Sequence, residues 1–225
     1  MILLAIDTAS TLCAACIYDS AAKKVLGRAV LDLGKGHAEH LMGVVHDAMA
    51  QAGVAFPQLE RVVVAVGPGS FTGVRVGVSA TRGFAMALKI PAIGVTTLEA
   101  LAAEAREGVG PRKVMIALDG GRGEVHLAVY DEAGGLLFGP VATTLEGAAA
   151  IAREHSPLLV GSAAAVVAGE ARAGLEVGAQ GSTADIGVYA RLGAAKPAGD
   201  KPKPLYLRDA DAKPQAGFVL PRIRS

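Results

Sequence analysis

The chain reads as two copies of one plan. Residues 2–10, ILLAIDTAS, and residues 114–122, VMIALDGGR, each join a short apolar run to an Asp and then to small residues. After the first come CAACIYD (13–19) and VLGRAVLDL (25–33), which complete an antiparallel meander. Residues 38–52 place Leu41, Val44, Val45, Ala48 and Met49 at helical spacing, with Gly53 closing the helix. RVVVAV (61–66) is a continuous apolar strand of the kind buried on both faces, and a helical stretch follows it. After the second copy of the opening run come EVHLAVYD (124–131), GGLLFGPVAT (134–143), LEGAAAIAREH (145–155) and PLLVG (157–161). The order β-β-β-α-β-α thus recurs, with Asp7 and Asp119 in matching places. A long unit that occurs twice specifies two similar lobes rather than a solenoid. The expected division is residues 1–103 and 104–225. Between them, Ile93–Val95 forms a short strand, and Thr96 with Glu99 makes a capping-box pair for a helix that Gly108 and Pro111 end.

Two such lobes, each with an Asp-bearing turn aimed at the cleft, describe the α/β actin-like ATPase architecture shared with sugar kinases. There the turns grip nucleotide phosphates: glycine permits close backbone approach, and carboxylates hold Mg²⁺ through water. The second turn, DGGRGE, supplies Asp119, Gly120, Gly123 and Glu124. The first, DTAST, supplies Asp7 and Thr8 but no glycine, so a Cβ obstructs each position. The cleft is therefore half built. Affinity for ATP, ADP or Mg²⁺ is expected to be weak or absent, and plain turn chemistry also accounts for both Asp residues. An active phosphotransferase or ATPase of this class is the alternative reading.

The stretch VAVGPGSFTGVRVGVSATRGFAMAL (64–88) excludes two other phosphate folds. A P-loop requires Gly-Lys-Ser/Thr, whereas Val74-Arg75 follows Gly73. GPGSFTG is one residue longer than the dinucleotide-binding turn, and VTT stands where that fold places an acidic ribose ligand. With Ser70 or Thr72 as N-cap, the helix starts near Thr72 or Gly73. Gly69, Gly73, Gly77, Thr81 and Ala85 then form one stripe of small residues. The interior glycines Gly73, Gly77 and Gly83 cost on the order of 3 kcal/mol relative to Ala. Such a penalty implies that something approaches the backbone, either the protein's own sheet or another chain. Arg75 lies beside the stripe.

The net charge of +1 excludes a basic face over the whole molecule and argues against dedicated nucleic-acid binding. Residues 196–225 carry seven Lys/Arg and three Asp, a net of +4 that leaves −3 for the preceding residues, and they read as a Pro-rich extended tail. No apolar run approaches the ~18 residues of a membrane span, and the N-terminus lacks a signal peptide, so a cytoplasmic protein is expected. Cys13 and Cys16 form a CxxC inside a strand, where residues three apart point to opposite faces. They read as small buried apolar residues rather than a redox pair or, with His37 and His40, a metal site.

At GPGSFTGVRVG the sequence resembles the bacterial TsaB (YeaZ) family. The likeness extends to LAIDTAS, His37, IPAIGVTTLEALA (90–102), D…GEV (119–125) and PLYLR (204–208). It implies a two-lobed actin-like fold without catalytic power of its own. It also implies pairing with a larger TsaD-type paralogue that transfers a threonylcarbamoyl group to the adenosine beside the anticodon in certain tRNAs. A TsaE-type ATPase is reached through that complex, tRNA is met indirectly, a homodimer forms when the chain is alone, and no membrane is involved. The older glycoprotease label finds no HExxH and no Ser or Cys with an evident base. The family places its partner contact on the first two helices. Carried over, the contact residues are His37, Leu41, Val45, Met49, Ser70, Phe71, Thr72, Gly73, Val74, Arg75, Gly77 and Thr81, which moves the glycine stripe towards the intermolecular reading. The chain departs from the family pattern at Gly121 and His126, where Arg and Tyr are commoner.

Overall fold

Strand parity decides which helix covers which face. The computed structural model describes residues 1–207. Strands β1 (Ile2–Asp7), β2 (Leu12–Asp19), β3 (Lys24–Asp32), β4 (Arg61–Ala65) and β5 (Ala92–Val95) form one sheet in the order β3-β2-β1-β4-β5. The first three are antiparallel, and β4 and β5 run parallel to β1. Leu4 lies opposite Ile17 and Val62, and Ala5 opposite Cys16 and Val63. Side chains alternate along a strand, so these two sets occupy opposite faces. All six residues are buried, which requires a cover on both sides.

On the Leu4 face lie α1 (His37–Ala52), over β2 and β3, and α2 (Phe71–Leu88), over β4 and β1. Gly27 of β3 lets α1 approach, because a Cβ there would strike the Ala48 carbonyl. The Cys16 face is covered by α6 (Ile186–Ala195), which rests on β1, β2 and β4.

The second half repeats the plan with β6 (Val114–Gly121), β7 (Glu124–Tyr130), β8 (Leu136–Thr144), α4 (Leu145–His155), β9 (Leu158–Val160) and α5 (Ala164–Ala171). Its sheet runs β8-β7-β6-β9, and a parallel bridge from Leu159 to Val177 stands where the first sheet has a fifth strand. Helices α4 and α5 pack together over one face, and α3 (Thr97–Val109) packs against β6, β7 and β9. This is the duplicated, two-lobed actin-like arrangement. The closing helices are exchanged: α3, from the first half, covers the second sheet, while α6, from the second half, covers the first. The two touch. Residue 103 therefore falls inside α3. One core runs from Leu4 and Val63 through Leu98 and Tyr189 to Ile116, Tyr130 and Val160 of the second sheet.

Helix ends follow local chemistry. Thr96 accepts the Glu99 N–H at 3.0 Å, but the Glu99 carboxylate binds Lys196 at 2.7 Å instead of closing a capping box. Gly110, not Gly108, caps α3. Arg61 Nη1 donates to the carbonyls of Gly193, Ala194 and Lys196, which secures the C-terminus of α6. Beyond α6 the chain is irregular; Pro202 is buried, and Leu205 donates its N–H to Val66 O at 2.8 Å. The rest of the basic tail, 208–225, lies outside the described residues. Among the described residues, no helix is long and apolar enough to cross a membrane.

Candidate functional site

Ser70 caps α2 by accepting the Gly73 N–H at 3.2 Å, and its own N–H donates to Ala9 O at 2.7 Å. The Thr8 hydroxyl donates to Gly73 O at 2.7 Å. The helix start is thus laced to the turn after β1. A Cβ at Gly69 would strike the Ala9 carbonyl, and one at Gly73 the Thr8 carbonyl. A Cβ at Gly77 would lie 2.5 Å from Thr8 Oγ1 and 3.3 Å from Val64 Cγ2. Gly73, Val74, Gly77 and Thr81 are all buried. The glycine stripe therefore closes on the protein's own turn and sheet. A contact between this stripe and another chain does not fit these positions. The same holds for Leu41, Val45 and Met49, which point into the lobe's core, and for His37, which is buried at the start of α1.

The opposite side of the two helices is open. Ser70, Phe71, Thr72 and Arg75 are exposed there, beside Met42, Gly43 and His46 of α1 and Ser79, Arg82, Gly83 and Met86 of α2. Phe71, Met42 and Met86 keep 57%, 54% and 78% of their surface in solvent. A Cβ at Gly43 or Gly83 would meet nothing within 4 Å. Apolar side chains exposed one at a time are ordinary, whereas a group of them on one face marks a contact surface. The Arg75 guanidinium lies 3.5 Å above the Phe71 ring, and its Nε donates to Tyr206 Oη at 2.7 Å. Met42, Met86 and Tyr206 were missed from sequence. Residues 71, 75, 79, 82 and 86 share one side of α2 by helical spacing, opposite the stripe of small residues.

The cleft is the second place where predicted residues gather. Asp7 accepts the N–H of Ala9, and Asp119 that of Gly121, both at 2.8 Å. The two repeats thus make the same Asx turn. Their surroundings differ. Asp7 is 1% exposed, and its second oxygen accepts from Thr183 Oγ1 at 2.6 Å. Burial raises its pKa above the ordinary 3.8, more than Thr183, the Ala9 N–H and His37 lower it. Thr183 also bonds the Tyr189 hydroxyl at 2.7 Å. Asp119 is exposed and lines a cleft of about 290 Å³ with Gly120, His126 and the hydroxyls of Ser10, Thr11, Ser70, Ser162 and Ser182. A Cβ at Gly120 would come 2.8 Å from His126 Nε2 and 3.2 Å from Glu124 O, so the imidazole would have to move aside. Gly121, Arg122 and Gly123 all have positive φ, which turns β6 into β7 at Glu124. Among the described residues no Lys or Arg lines this cleft, and Asp7 is buried with each carboxylate oxygen already accepting a hydrogen bond from the protein. These residues do not fit a Mg²⁺-nucleotide.

Cys13 and Cys16 are free and buried, on opposite faces of the sheet by parity. They can share neither a metal nor a disulfide. Burial pushes the two thiols up to about 11 and about 12.

The family model described as TsaD, tRNA N6-adenosine threonylcarbamoyltransferase, matches residues 32–163. The tRNA threonylcarbamoyladenosine biosynthesis protein TsaB of Escherichia coli is 34% identical over 131 residues, 58% of this chain and 55% of that protein. The chain thus matches little more than half the length of that curated relative. An uncharacterized protein of Mycobacterium tuberculosis is 35% identical over 223 residues, 95% of this chain and 94% of its own. Among solved structures, YeaZ from Pseudomonas aeruginosa superposes with a TM-score of 0.72 at 26% identity, covering 86% of this chain and 91% of that one. With the family model matched over more than half of the chain, TsaB proteins among its relatives and the repeated lobes superposed on YeaZ, the chain belongs to the TsaB (YeaZ) family.

Proposed function

We propose that this chain is a non-catalytic assembly subunit. It holds a TsaD-type transferase through the outer face of α1 and α2, and the pair forms threonylcarbamoyladenosine beside the anticodon in tRNA. The observation that carries this reading is the exposure of Phe71, Met42 and Met86 on two adjacent helices whose other faces are sealed. A second copy of the chain covers the same face when the transferase is absent. A TsaE-type ATPase and tRNA reach the chain through the transferase, in the cytoplasm where tRNA is modified. The names of the TsaB relatives and the TsaD family model support the pathway. The sealed Asp7 supports the lack of catalysis.

The test is co-expression with the TsaD-type paralogue of the same organism, followed by size-exclusion chromatography. Met86→Arg places a charge on the exposed side of α2 without entering the core. It is expected to abolish co-elution and threonylcarbamoyladenosine formation while leaving the melting temperature unchanged. Normal co-elution of Met86→Arg and of Met42→Arg would remove the reading.

A further inference from the structure

We propose that Arg75 is the polar recognition element of this face. Held between Phe71 and Tyr206, it receives a carboxylate from the partner protein, which makes the segment 201–207 part of the interface. The inference rests on the assembly reading above and adds the chemistry of the partner.

Arg75 is exposed, yet its guanidinium is already placed. One flat face lies on the Phe71 ring at 3.5 Å, and the Tyr206 ring centroid is 5.5 Å away. Nε is taken by Tyr206 Oη. The two rings themselves are 5.7 Å apart. The backbone that carries Tyr206 is anchored, since Pro202 is buried and Leu205 is bonded to Val66 O, and the half-exposed Tyr206 ring reaches Arg75 from it. Two Nη groups remain, and among the described residues neither has a hydrogen bond or a carboxylate within ion-pair distance. A guanidinium oriented by one ring contact and one hydrogen bond, with its paired N–H donors unused, matches a carboxylate in a two-bond fork. Its ordering precedes binding, so association does not bear that cost. Arg82, two helical turns further on, is exposed and lacks an acidic partner among the described residues too.

The surroundings select a protein over a nucleic acid. Aromatic, methionine and arginine side chains clustered on one face are the composition of protein contact centres. RNA binding draws on a broad run of phosphate contacts, whereas this face, with Arg75 and Arg82 on α2 and Lys201 and Lys203 in the adjoining segment, sets its cations around aromatic and methionine side chains, and α1 also carries the exposed acids Glu39 and Asp47.

The experiment measures binding of the purified chain to the immobilised TsaD-type paralogue between about 50 and 500 mM NaCl. Arg75→Ala is expected to weaken binding roughly tenfold or more and to flatten the salt dependence. Arg75→Lys recovers little, because an ammonium cannot form the fork. Tyr206→Phe weakens binding about threefold in the native background and adds nothing to Arg75→Ala, which marks Tyr206 as a positioning residue. Melting temperatures stay constant throughout. If Arg75→Ala and Tyr206→Phe bind like the native chain while Met86→Arg does not, this inference fails and the assembly reading stands. If Met86→Arg also binds normally, the assembly reading itself fails. Loss of binding to a tRNA anticodon stem-loop, with paralogue binding intact, would make the anion a phosphate and overturn the proposal.

Discussion

Gly73→Ala and Gly83→Ala add the same methyl group to the same helix, ten residues apart, and should move stability in opposite directions. At Gly83 the new Cβ meets nothing within 4 Å, so only the backbone preference counts. Ala is favoured over Gly in a helix by about 0.8–1.0 kcal/mol. For a domain of this size that raises the melting temperature by roughly 2–4 °C. At Gly73 the same gain is opposed by a collision with the Thr8 carbonyl and by Ser70 Cβ and Oγ, both 3.2 Å away. None of these can easily retreat. Thr8 is tied to Gly73 O, and Ser70 to Ala9 O. Overpacking typically costs 1–3 kcal/mol, and a clash with fixed backbone belongs at about the upper end. The net loss is about 2 kcal/mol, or roughly 4–8 °C. Differential scanning calorimetry of both variants at matched protein concentration measures the gap directly. If Gly73→Ala melts above the native chain, as Gly83→Ala should, the turn does not press on the helix. The glycine stripe would then need another explanation.

Three further expectations concern polar groups in or against the core. Burial holds the Asp7 pKa above 3.8, so the folded state keeps a proton that the unfolded chain releases, and native stability falls as pH rises from that value. Asp7→Asn should therefore be more stable than the native chain at pH 7, with the gap closing towards pH 4 in urea titrations; a constant gap would contradict this. Arg61→Met removes the donor to three carbonyls at the end of α6 and should cost about 2–3 kcal/mol, with faster hydrogen exchange in Ile186–Ala195 and little change in α4. With thiols at about 11 and about 12, under about one in a hundred Cys13 or Cys16 side chains is thiolate at pH 8. Ellman's reagent should find no reactive thiol in the native chain and two in guanidinium; rapid native labelling would refute their burial.

The repeat was legible because each half opens with a short apolar run that ends in Asp, and that pattern survives in single-letter form. Cys13 and Cys16 were legible for a similar reason, since parity along a strand needs no tertiary information. Gly73 and Gly77 were half legible. Their spacing revealed a smooth helix side, but not that the carbonyl of Thr8 and the side chain of Val64 fill it. The turn that fills the groove is 65 residues away, and nothing in the helix encodes it. Tyr206 was hidden for the same reason: its role depends on Leu205 reaching Val66 across the fold. Thr183 gave no sign that it would take the second oxygen of Asp7.

The crossing of α3 and α6 bears on how the molecule comes into being at the ribosome. The first sheet is complete in sequence by Val95, yet the helix that shields its Cys16 face is Ile186–Ala195. While the intervening residues are made, Ala5, Cys16 and Val63 have no native shield, and an emerging strand meander with a bare apolar side is prone to wrong pairing. The nascent chain must either stay loose until about residue 195 has left the exit tunnel or borrow a chaperone's surface in the meantime. Translation speed through the second repeat therefore bears on the yield of folded first lobe.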